Sequence, residues 1–258
     1  MMTDPSNDEA NHPKFTVTVD IAIFTLVHNE LGVVLIHRGV TPFLGALALP
    51  GGRVEPDEDL LEAAVRELQE ETALAIDPAD LSQVGAYGAP RRDPRERVVS
   101  VAFAALVANL DKPTGGSDAA TAAVYPVYEV LARNARALEQ PNREHLLAFD
   151  HGQILDDALK VVTQLIEHTP LATHFCSPTF TLSELRQVYE AVWNEKLDAA
   201  NFRKRILKAE GFLVPTGDKR LPKGERGRLA ETYMCGNVKE ISPPLRKPGT
   251  YFHEPRKR

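Results

Sequence analysis

The chain has 258 residues, of which 43% are hydrophobic and 26% are charged, and its formal net charge is −6 at pH 7. This length supports a sizeable core, and it fits two domains better than one. The sequence contains no run of the roughly 18 apolar residues that a membrane-spanning helix needs, and its polar start lacks the apolar core of a signal peptide. Cys176 and Cys235 show neither paired spacing nor a secretory context, so they are expected to be reduced thiols in a cytoplasmic protein.

The charges are divided unevenly along the chain. Residues 1–167 carry 13 basic and 26 acidic side chains, whereas residues 168–258 carry 17 basic and 10 acidic ones. A basic C-terminal third suggests a polyanionic partner, although the same division also occurs in ordinary two-domain enzymes.

The N-terminal half is rich in strand signals. Residues 1–14 are expected to be a flexible tail, and residues 15–150 to be the first domain. Runs of β-branched residues, separated by residues that are typical of turns, predict strands at 15–27, 32–37, 81–87 and 98–107. The order is strand, strand, helix, strand, strand and then helix, which predicts an α/β sandwich rather than a doubly wound sheet.

The predicted helix between these strands carries the candidate metal-binding carboxylates. Asp59 and Glu62 predict a capping box at its start. Glu67, Glu70 and Glu71 then fall on one helical edge, at the i, i+3 and i+4 spacing that brings side chains together. Such crowding of like charges is relieved by a cation, and hard oxygen ligands suit Mg²⁺ or Mn²⁺. The alternative is a solvated acidic helix face.

Residues 52–74 resemble the Nudix box, G-x5-E-x7-R-E-U-x-E-E-x-G-U, where U is aliphatic. The matching positions are Gly52, Glu58, Arg66, Glu67, Leu68, Glu70, Glu71 and Leu74. The late glycine is Ala73 here, and alanine in a left-handed conformation after a helix costs on the order of 1 kcal/mol. The resemblance implies the Nudix α/β/α fold and a metal held by Glu67, Glu70 and Glu71, with Glu70 or Glu71 as a base for water attack at phosphorus.

Other positions depart from the hydrolase pattern. Leu47 stands where the Nudix family often has an aromatic residue, and Val124 stands in place of a tryptophan. These departures weaken the case for a hydrolase, because an adenine-stacking or packing contact is expected to be lost.

The C-terminal half predicts helices. An apolar stripe from His151 ends before Pro170 and marks the domain junction. Thr181 and Glu184 predict a second capping box, and Asp198 can cap a short helix. The polar face of this short helix and the loop after residue 212 are rich in cations and carry Asn201, Lys204, Arg205, Lys208, Lys219, Arg220, Lys223, Arg226 and Arg228.

Helix, turn, basic helix and basic hairpin predict a winged helix-turn-helix in residues 151–241, which would read DNA through its second helix and contact phosphate through the wing. The alternative is a winged helix used only for dimerisation. Residues 242–258 are rich in proline and basic, and are expected to be a mobile arm.

Taken together, the Nudix-like segment, Leu-Ala-Phe-Asp-His at 147–151, Phe-Thr-Leu-Ser-Glu-Leu at 180–185 and Asn-Phe-Arg-Lys-Arg at 201–205 resemble NrtR, the Nudix-related transcriptional regulators, over roughly residues 15–235. The resemblance implies a homodimeric repressor, of the type that controls NAD metabolism, that binds an inverted-repeat operator in double-stranded DNA. Its Nudix domain would sense ADP-ribose or a related nucleotide.

The segment Arg91-Arg-Asp-Pro-Arg95 also resembles ADP-ribose-type Nudix proteins. Arginines near a carboxylate-bound metal would clamp a pyrophosphate, and a charged hairpin turn is the alternative. The residues expected to bind the ligand are Gly52, Arg66, Arg91, Arg92 and Arg95.

Three functions stay open. A ligand-responsive regulator is favoured by the basic face of the second helix. A Nudix hydrolase of ADP-ribose, with a dimerisation domain, is the main alternative, and weak Mg²⁺-dependent hydrolysis by a regulator is compatible with the sequence. A sensor that has lost metal binding and recognises a sugar or another metabolite is the third, and the intact carboxylates argue against it.

Overall fold

A computed structural model describes residues 14–115, 119–139, 146–221 and 229–249. Within these residues, the N-terminal half forms a mixed sheet in which β1 runs parallel to β6 and the other pairs are antiparallel. The strand order is β3-β2-β1-β6-β5, with β4 on β1 and β7 on β2. The strands are β1 (Thr16–Val27), β2 (Glu30–Arg38), β3 (Leu47–Ala48), β4 (Gly51–Arg53), β5 (Ser82–Tyr87), β6 (Val98–Leu106) and β7 (Ala119–Pro126).

Alternate residues of β1 face two helical layers. Ile21 and Ile23 share a core with α1 (Leu60–Thr72), whereas Ala22 and Phe24 share a core with α2 (Val127–Leu138) and α3 (His151–His168). Side chains of a strand alternate between the two faces of its sheet, so the continuous apolar run of β1 is buried on both sides. The predicted α/β/α sandwich is confirmed, and the short strands β3 and β4 and strand β7 are additions to it.

Both ends of α1 follow from its sequence. Asp59 is the N-cap and forms the predicted capping box with Glu62, which satisfies backbone donors of the first turn. Ala73 lies after the last turn at φ 59° and ψ 15°, in the left-handed conformation expected for the glycine that it replaces.

The structure differs from the predicted domain junction at residue 151. Helix α3 packs on β5 and β6, and its Ile154 and Ala158 lie in the same core as Phe24 of β1. The apolar stripe that suggested a separate helical domain is the stripe that covers the sheet. Helix α3 therefore forms part of the sandwich and leads into the C-terminal unit.

The C-terminal unit is a winged helix, as predicted. It contains β8 (Phe180–Thr181), α4 (Leu182–Trp193), α5 (Ala199–Ile206), β9 (Leu213–Arg220) and β10 (Ala230–Cys235), with sheet order β8-β10-β9. Thr181 forms the predicted capping box with Glu184, and the Asp198 side chain caps α5.

The two units share one apolar core. Tyr189 and Trp193 of α4 and Phe202 of α5 belong to the same buried cluster as Phe24 of the N-terminal sheet. The Tyr189 hydroxyl donates to the Ile166 carbonyl of α3 at 3.0 Å. Helix α3 therefore touches both the sheet and the winged helix.

Residues 242–249 differ from the predicted mobile arm, of which residues 250–258 lie outside the described residues. We name residues 236–249 the C-terminal strap. Its Ile241 and Leu245 are each 3% exposed. Burial of these two side chains fixes a segment whose proline and charge content suggested mobility, because the apolar area removed from water offsets the entropy of ordering.

None of the helices in the described residues has both the length and the apolar composition that a membrane-spanning helix requires.

Candidate functional site

A cavity of about 240 Å³ lies beside the start of β1, next to the end of α1 and the start of α3. Acidic and basic side chains alternate around it; those used below are Asp20, Arg38, Glu71, Arg92, Arg95 and His151. A larger groove of about 910 Å³ lies between the sandwich and the winged helix, but it gathers fewer charged side chains. The smaller cavity is therefore the better candidate for a nucleotide site.

The three predicted metal ligands on α1 differ in environment. Glu71 is 8% exposed, and its carboxylate accepts the Gly51 N–H at 2.9 Å. Burial raises the pKa of Glu71 to about 7, and that of Glu67 above its usual value. The Glu70 side chain is 50% exposed. Two of the three carboxylates are thus desolvated and the third faces solvent.

The carboxylates do not converge on one point. Within the described part of the chain, no three His, Cys, Asp or Glu side chains are grouped as a metal site. The Glu67 carboxylate accepts from Arg66 at 2.9 Å, whereas that of Glu71 is directed to Gly51.

The donor set nevertheless fits a hard divalent cation. A Cβ placed on Gly52 would lie 2.2 Å from Oε1 of Glu67, so only glycine lets this carboxylate lie against the turn. The Glu67 charge also contributes to the raised pKa of Glu71, after burial. A divalent cation would compensate this buried negative charge.

Arg66 closes the loop that precedes α1. It donates through Nε to Glu58 at 2.9 Å and through Nη2 to the Arg53 carbonyl at 3.0 Å. The hydrogen bond from Arg66 lowers the pKa of Glu58 to about 2. These partners place Arg66 outside the cavity lining.

The arginines of the segment 91–95 occupy three different environments. Arg91 is exposed and lies outside the cavity lining. The Arg92 side chain is 5% exposed and donates to both carboxylate oxygens of Asp150, at 2.9 and 2.6 Å, and to Asp20 at 3.3 Å. Arg95 lines the cavity and pairs with Asp93 at 2.7 Å.

A buried polar network on the cavity floor is not predicted from the sequence. The Leu49 N–H donates to Nδ1 of His151 at 2.9 Å, so Nε2 carries the proton and faces Asp20 at 3.3 Å. Asp20 also accepts from the Ser100 hydroxyl. Burial lowers the pKa of His151, which keeps its ring neutral. The sequence contains one indication of this network, which is Asp20. A lone acidic residue inside an apolar strand must have buried hydrogen-bonding partners.

Phe149 adds an aromatic surface to this cavity. Its ring lies 4.8 Å from the guanidinium of Arg38 and 5.7 Å from that of Arg95. The Phe43 ring meets it edge-on at a centroid distance of 4.9 Å. The chain thus has an aromatic ring at the site, although it lacks aromatics at Leu47 and Val124.

The predicted DNA-contacting residues that the structure describes fall into two groups. Asn201, Lys204 and Lys208 of the α5 region, and Lys219 of β9, are exposed. Arg205 and Arg220 are half-buried and bound within the protein. Lys223, Arg226 and Arg228 lie outside the described residues.

Arg220 ties the wing to α4. It donates to the two carboxylate oxygens of Glu184, at 2.9 and 2.7 Å, and to the Thr179 carbonyl at 3.1 Å. Arg205 donates to the Arg246 carbonyl of the strap. The structure therefore gives both residues partners inside the protein.

Comparison with known proteins identifies both units, and α3 lies between the two matched segments. Residues 17–149 match the family described as NUDIX domain, and residues 172–235 match the family described as NrtR DNA-binding winged helix domain. The chain is 31% identical to the ADPR responsive transcriptional repressor NtrR of Acinetobacter baylyi, over 84% of this chain and 82% of that protein. It is 35% identical to the ADP-ribose pyrophosphatase of Methanocaldococcus jannaschii, over 54% of this chain and 73% of that protein.

Among solved structures, that of Shewanella oneidensis NrtR complexed with a 27mer DNA is similar, with a TM-score of 0.61 and 30% identity over 87% of this chain and 99% of that chain. The two family matches have the order that the structure shows, with the sandwich first and the winged helix second. The chain belongs to the Nudix family, in the NrtR group of Nudix-related transcriptional regulators.

Proposed function

We propose that this protein is an ADP-ribose-responsive transcriptional repressor that binds double-stranded DNA through its winged helix. The observation that carries this proposal is an exposed polar surface on the same chain as a Nudix cavity, formed by Asn201 and Lys204 of α5 and by Lys208 in the turn after it. A second helix of this kind enters the major groove, and cations beside it contact phosphate. The repressor activity of the Acinetobacter baylyi relative supports the proposal.

The proposed effector is ADP-ribose or a related nucleotide. Arg95 lines the cavity beside Arg92, and both are suited to phosphate oxygens. Gly52 also lines the cavity, and its lack of a side chain leaves room for the Glu67 carboxylate. Phe149 offers a face for a planar or sugar ring. Because Arg92 is already held by Asp150 and Asp20, a phosphate that binds it must compete with these carboxylates.

We further propose that Mg²⁺ or Mn²⁺ binds through Glu67, Glu70 and Glu71. Proteins with a Nudix domain generally use a divalent metal, and burial raises the pKa of both Glu67 and Glu71 although Arg66 pairs with Glu67. When bound, the ion would neutralise charge on the pyrophosphate.

A second, weaker activity is favoured by one observation. The raised pKa of Glu71, about 7, suits a general base near neutral pH. We expect slow hydrolysis of ADP-ribose, in which water attacks phosphorus, the P–O–P bridge breaks and AMP and ribose 5-phosphate are released. Chromatography of ADP-ribose incubated with the protein and Mg²⁺ tests this expectation, and turnover of several per second would favour the hydrolase function instead.

The DNA-bound species is proposed to be a homodimer on an inverted repeat, because one short helix reads few base pairs and twofold symmetry doubles the contact. Light scattering with and without DNA tests this point, and a monomer in both samples would contradict it. The genes proposed to be regulated are those of NAD metabolism. A regulator of these genes would act in the cytoplasm.

The main experiment measures DNA binding by gel shift on the region upstream of the protein's own gene and on a scrambled duplex. We expect tighter binding to the upstream region, and a change in that binding when ADP-ribose is added. Equal, weak binding to both duplexes would exclude the proposed function.

A further inference from the structure

The C-terminal strap, residues 236–249, is firmly attached to the end of α3. The Ile241 N–H donates to the His168 carbonyl at 2.7 Å, and the Leu245 N–H donates to the Glu167 carbonyl at 3.0 Å. The Lys247 N–H donates to the Glu167 carboxylate at 2.7 Å. The last carbonyls of a helix have no hydrogen-bond donor within the helix. The strap supplies donors to two of these carbonyls, those of Glu167 and His168, which would otherwise need other partners. Both family matches end before residue 236.

The strap passes along one flank of α5. Arg205 donates to the Arg246 carbonyl, and Pro248 lines a groove of about 350 Å³ together with Asn201 and Arg205. The strap therefore lies directly beside the helix that is proposed to read DNA.

The wing occupies the other flank. Arg203 pairs with Glu231 of β10 at 3.2 Å. Consecutive helical residues point about 100° apart, so Arg203 and Arg205 project to either side of Lys204. Exposed Lys204 thus lies between a flank held by the wing and a flank held by the strap.

The charge of the strap suits a polyanion. It carries three cations, Lys239, Arg246 and Lys247, and one acid, Glu240. Arg246 is exposed, and its backbone is the point that contacts α5. A helix in the major groove has a phosphate backbone on each side, because the groove is about 12 Å wide.

We propose that the strap is a second phosphate-contacting element, which meets the DNA backbone on the side of α5 opposite the wing and does so through Arg246. Arg205 is the positioning residue, because its hydrogen bond holds the strap at the flank of α5. This inference rests on the proposed DNA binding and adds a contact that the winged helix alone does not provide. Phosphate contacts of this kind set orientation and affinity without reading sequence.

The test is Arg246→Ala in the full-length protein, titrated onto a short random-sequence duplex at several salt concentrations between about 50 and 200 mM. The substitution leaves the Arg246 carbonyl and the buried Ile241 and Leu245 in place. We expect the slope of log affinity against log salt to fall by about 0.9, with an unchanged unfolding midpoint. Arg246→Lys should restore the slope, since it restores the charge. Lys112→Ala, at an exposed lysine of the sandwich, is the matched control and should match wild type.

A double-mutant cycle tests the positioning role of Arg205. If Arg205 places the strap, then Arg246→Ala should change the salt slope less in an Arg205→Ala background than in wild type. An unchanged slope for Arg246→Ala would overturn the inference. A loss of stability and affinity that Arg246→Lys does not restore would also overturn it, since the strap would then only support α5. If wild type itself does not bind DNA, the proposed function fails and not merely the strap contact.

Discussion

The arginines of the Nudix cavity and the exposed Lys204 of α5 differ in whether they have partners inside the protein. Arg92 is buried between Asp150 and Asp20, and Arg95 is paired with Asp93. On α5, Lys204 is exposed, and it has no ion pair within the described part of the chain. A ligand in the cavity must therefore exchange partners with carboxylates at fixed positions, whereas DNA that contacts Lys204 displaces only water and counterions. The first arrangement favours selectivity and the second favours salt-dependent affinity.

The largest expected effect is the loss of DNA affinity when exposed lysines are replaced. Replacement of both Lys204 and Lys208 by alanine should weaken DNA binding about 10- to 100-fold and lower the salt slope by about two units, because two cations that face the duplex are lost. Gel-shift titrations at several salt concentrations measure both quantities. Lys112→Ala is the control, and wild-type affinity in the double variant would mean that this face does not contact DNA.

The second prediction concerns a cation of the wing that has internal partners. Arg220→Ala should lower the free energy of unfolding by about 1.5–3 kcal/mol, because Glu184 loses two charge-assisted hydrogen bonds. Urea denaturation measures the change. The neighbouring exposed Lys219→Ala should leave stability near wild type and lower the salt slope instead. If the two variants showed the opposite pattern, Arg220 would be a DNA contact and not a structural one.

The third prediction addresses the metal. Glu70→Gln should weaken binding of Mg²⁺ or Mn²⁺ about tenfold, equivalent to about 1.4 kcal/mol, because a charged oxygen ligand is lost. Calorimetry on the wild-type and variant proteins measures the affinity. Glu129→Gln, at an exposed carboxylate of α2, provides the control, and equal affinities for all three proteins would remove Glu70 from the ligand set.

The fourth prediction uses the buried histidine. The pKa of His151 in the folded protein is lowered by burial, although Asp20 and Asp150 raise it and Arg92 and Arg38 lower it further. The unfolded chain therefore binds the proton more readily, so this stabilisation is present above the ordinary pKa of 6.5 and is lost as the pH falls. His151→Asn should reduce the loss of unfolding free energy between about pH 7 and 5.

Denaturation at each pH measures this difference. Exposed His174→Asn is the matched control, and it should keep the wild-type dependence on pH. The same pH dependence in His151→Asn as in wild type would show that His151 is not held neutral in the folded protein.

The smallest effect is expected at the departure from the Nudix box. Ala73→Gly should raise the free energy of unfolding by about 1 kcal/mol, because glycine adopts the left-handed conformation without a penalty. Ala135→Gly, at an exposed position inside α2, should instead lower it by about 1 kcal/mol. Thermal or urea denaturation separates the two variants, and the same sign for both would contradict the assignment of strain to residue 73.

The features predictable from the sequence are those set by local signals. Asp59, Thr181 and Asp198 begin helices because each can accept backbone hydrogen bonds locally, and all three caps are present. The alternation of apolar residues likewise locates the sheet. The identity of both domains followed from their motifs.

The remaining features depend on contacts between distant parts of the chain. The partners of Asp20 are Ser100, Arg92 and His151, which lie 72 to 131 residues further along the chain. The backbone of the buried Ile241 and Leu245 donates to carbonyls of α3, and the sequence around Arg220 does not show that Glu184 lies beside it. Neither hydrophobic periodicity nor a sequence motif predicts such contacts between distant residues.

The most direct test of the central claim is a reciprocal titration. The affinity for DNA is measured with and without saturating ADP-ribose, and the affinity for ADP-ribose with and without the same DNA. If the cavity and the winged helix are coupled, each ligand must change the affinity for the other by the same factor, with a coupling free energy of about 1–3 kcal/mol. Binding of both ligands with no mutual effect would contradict a ligand-responsive regulator and leave two independent sites on one chain.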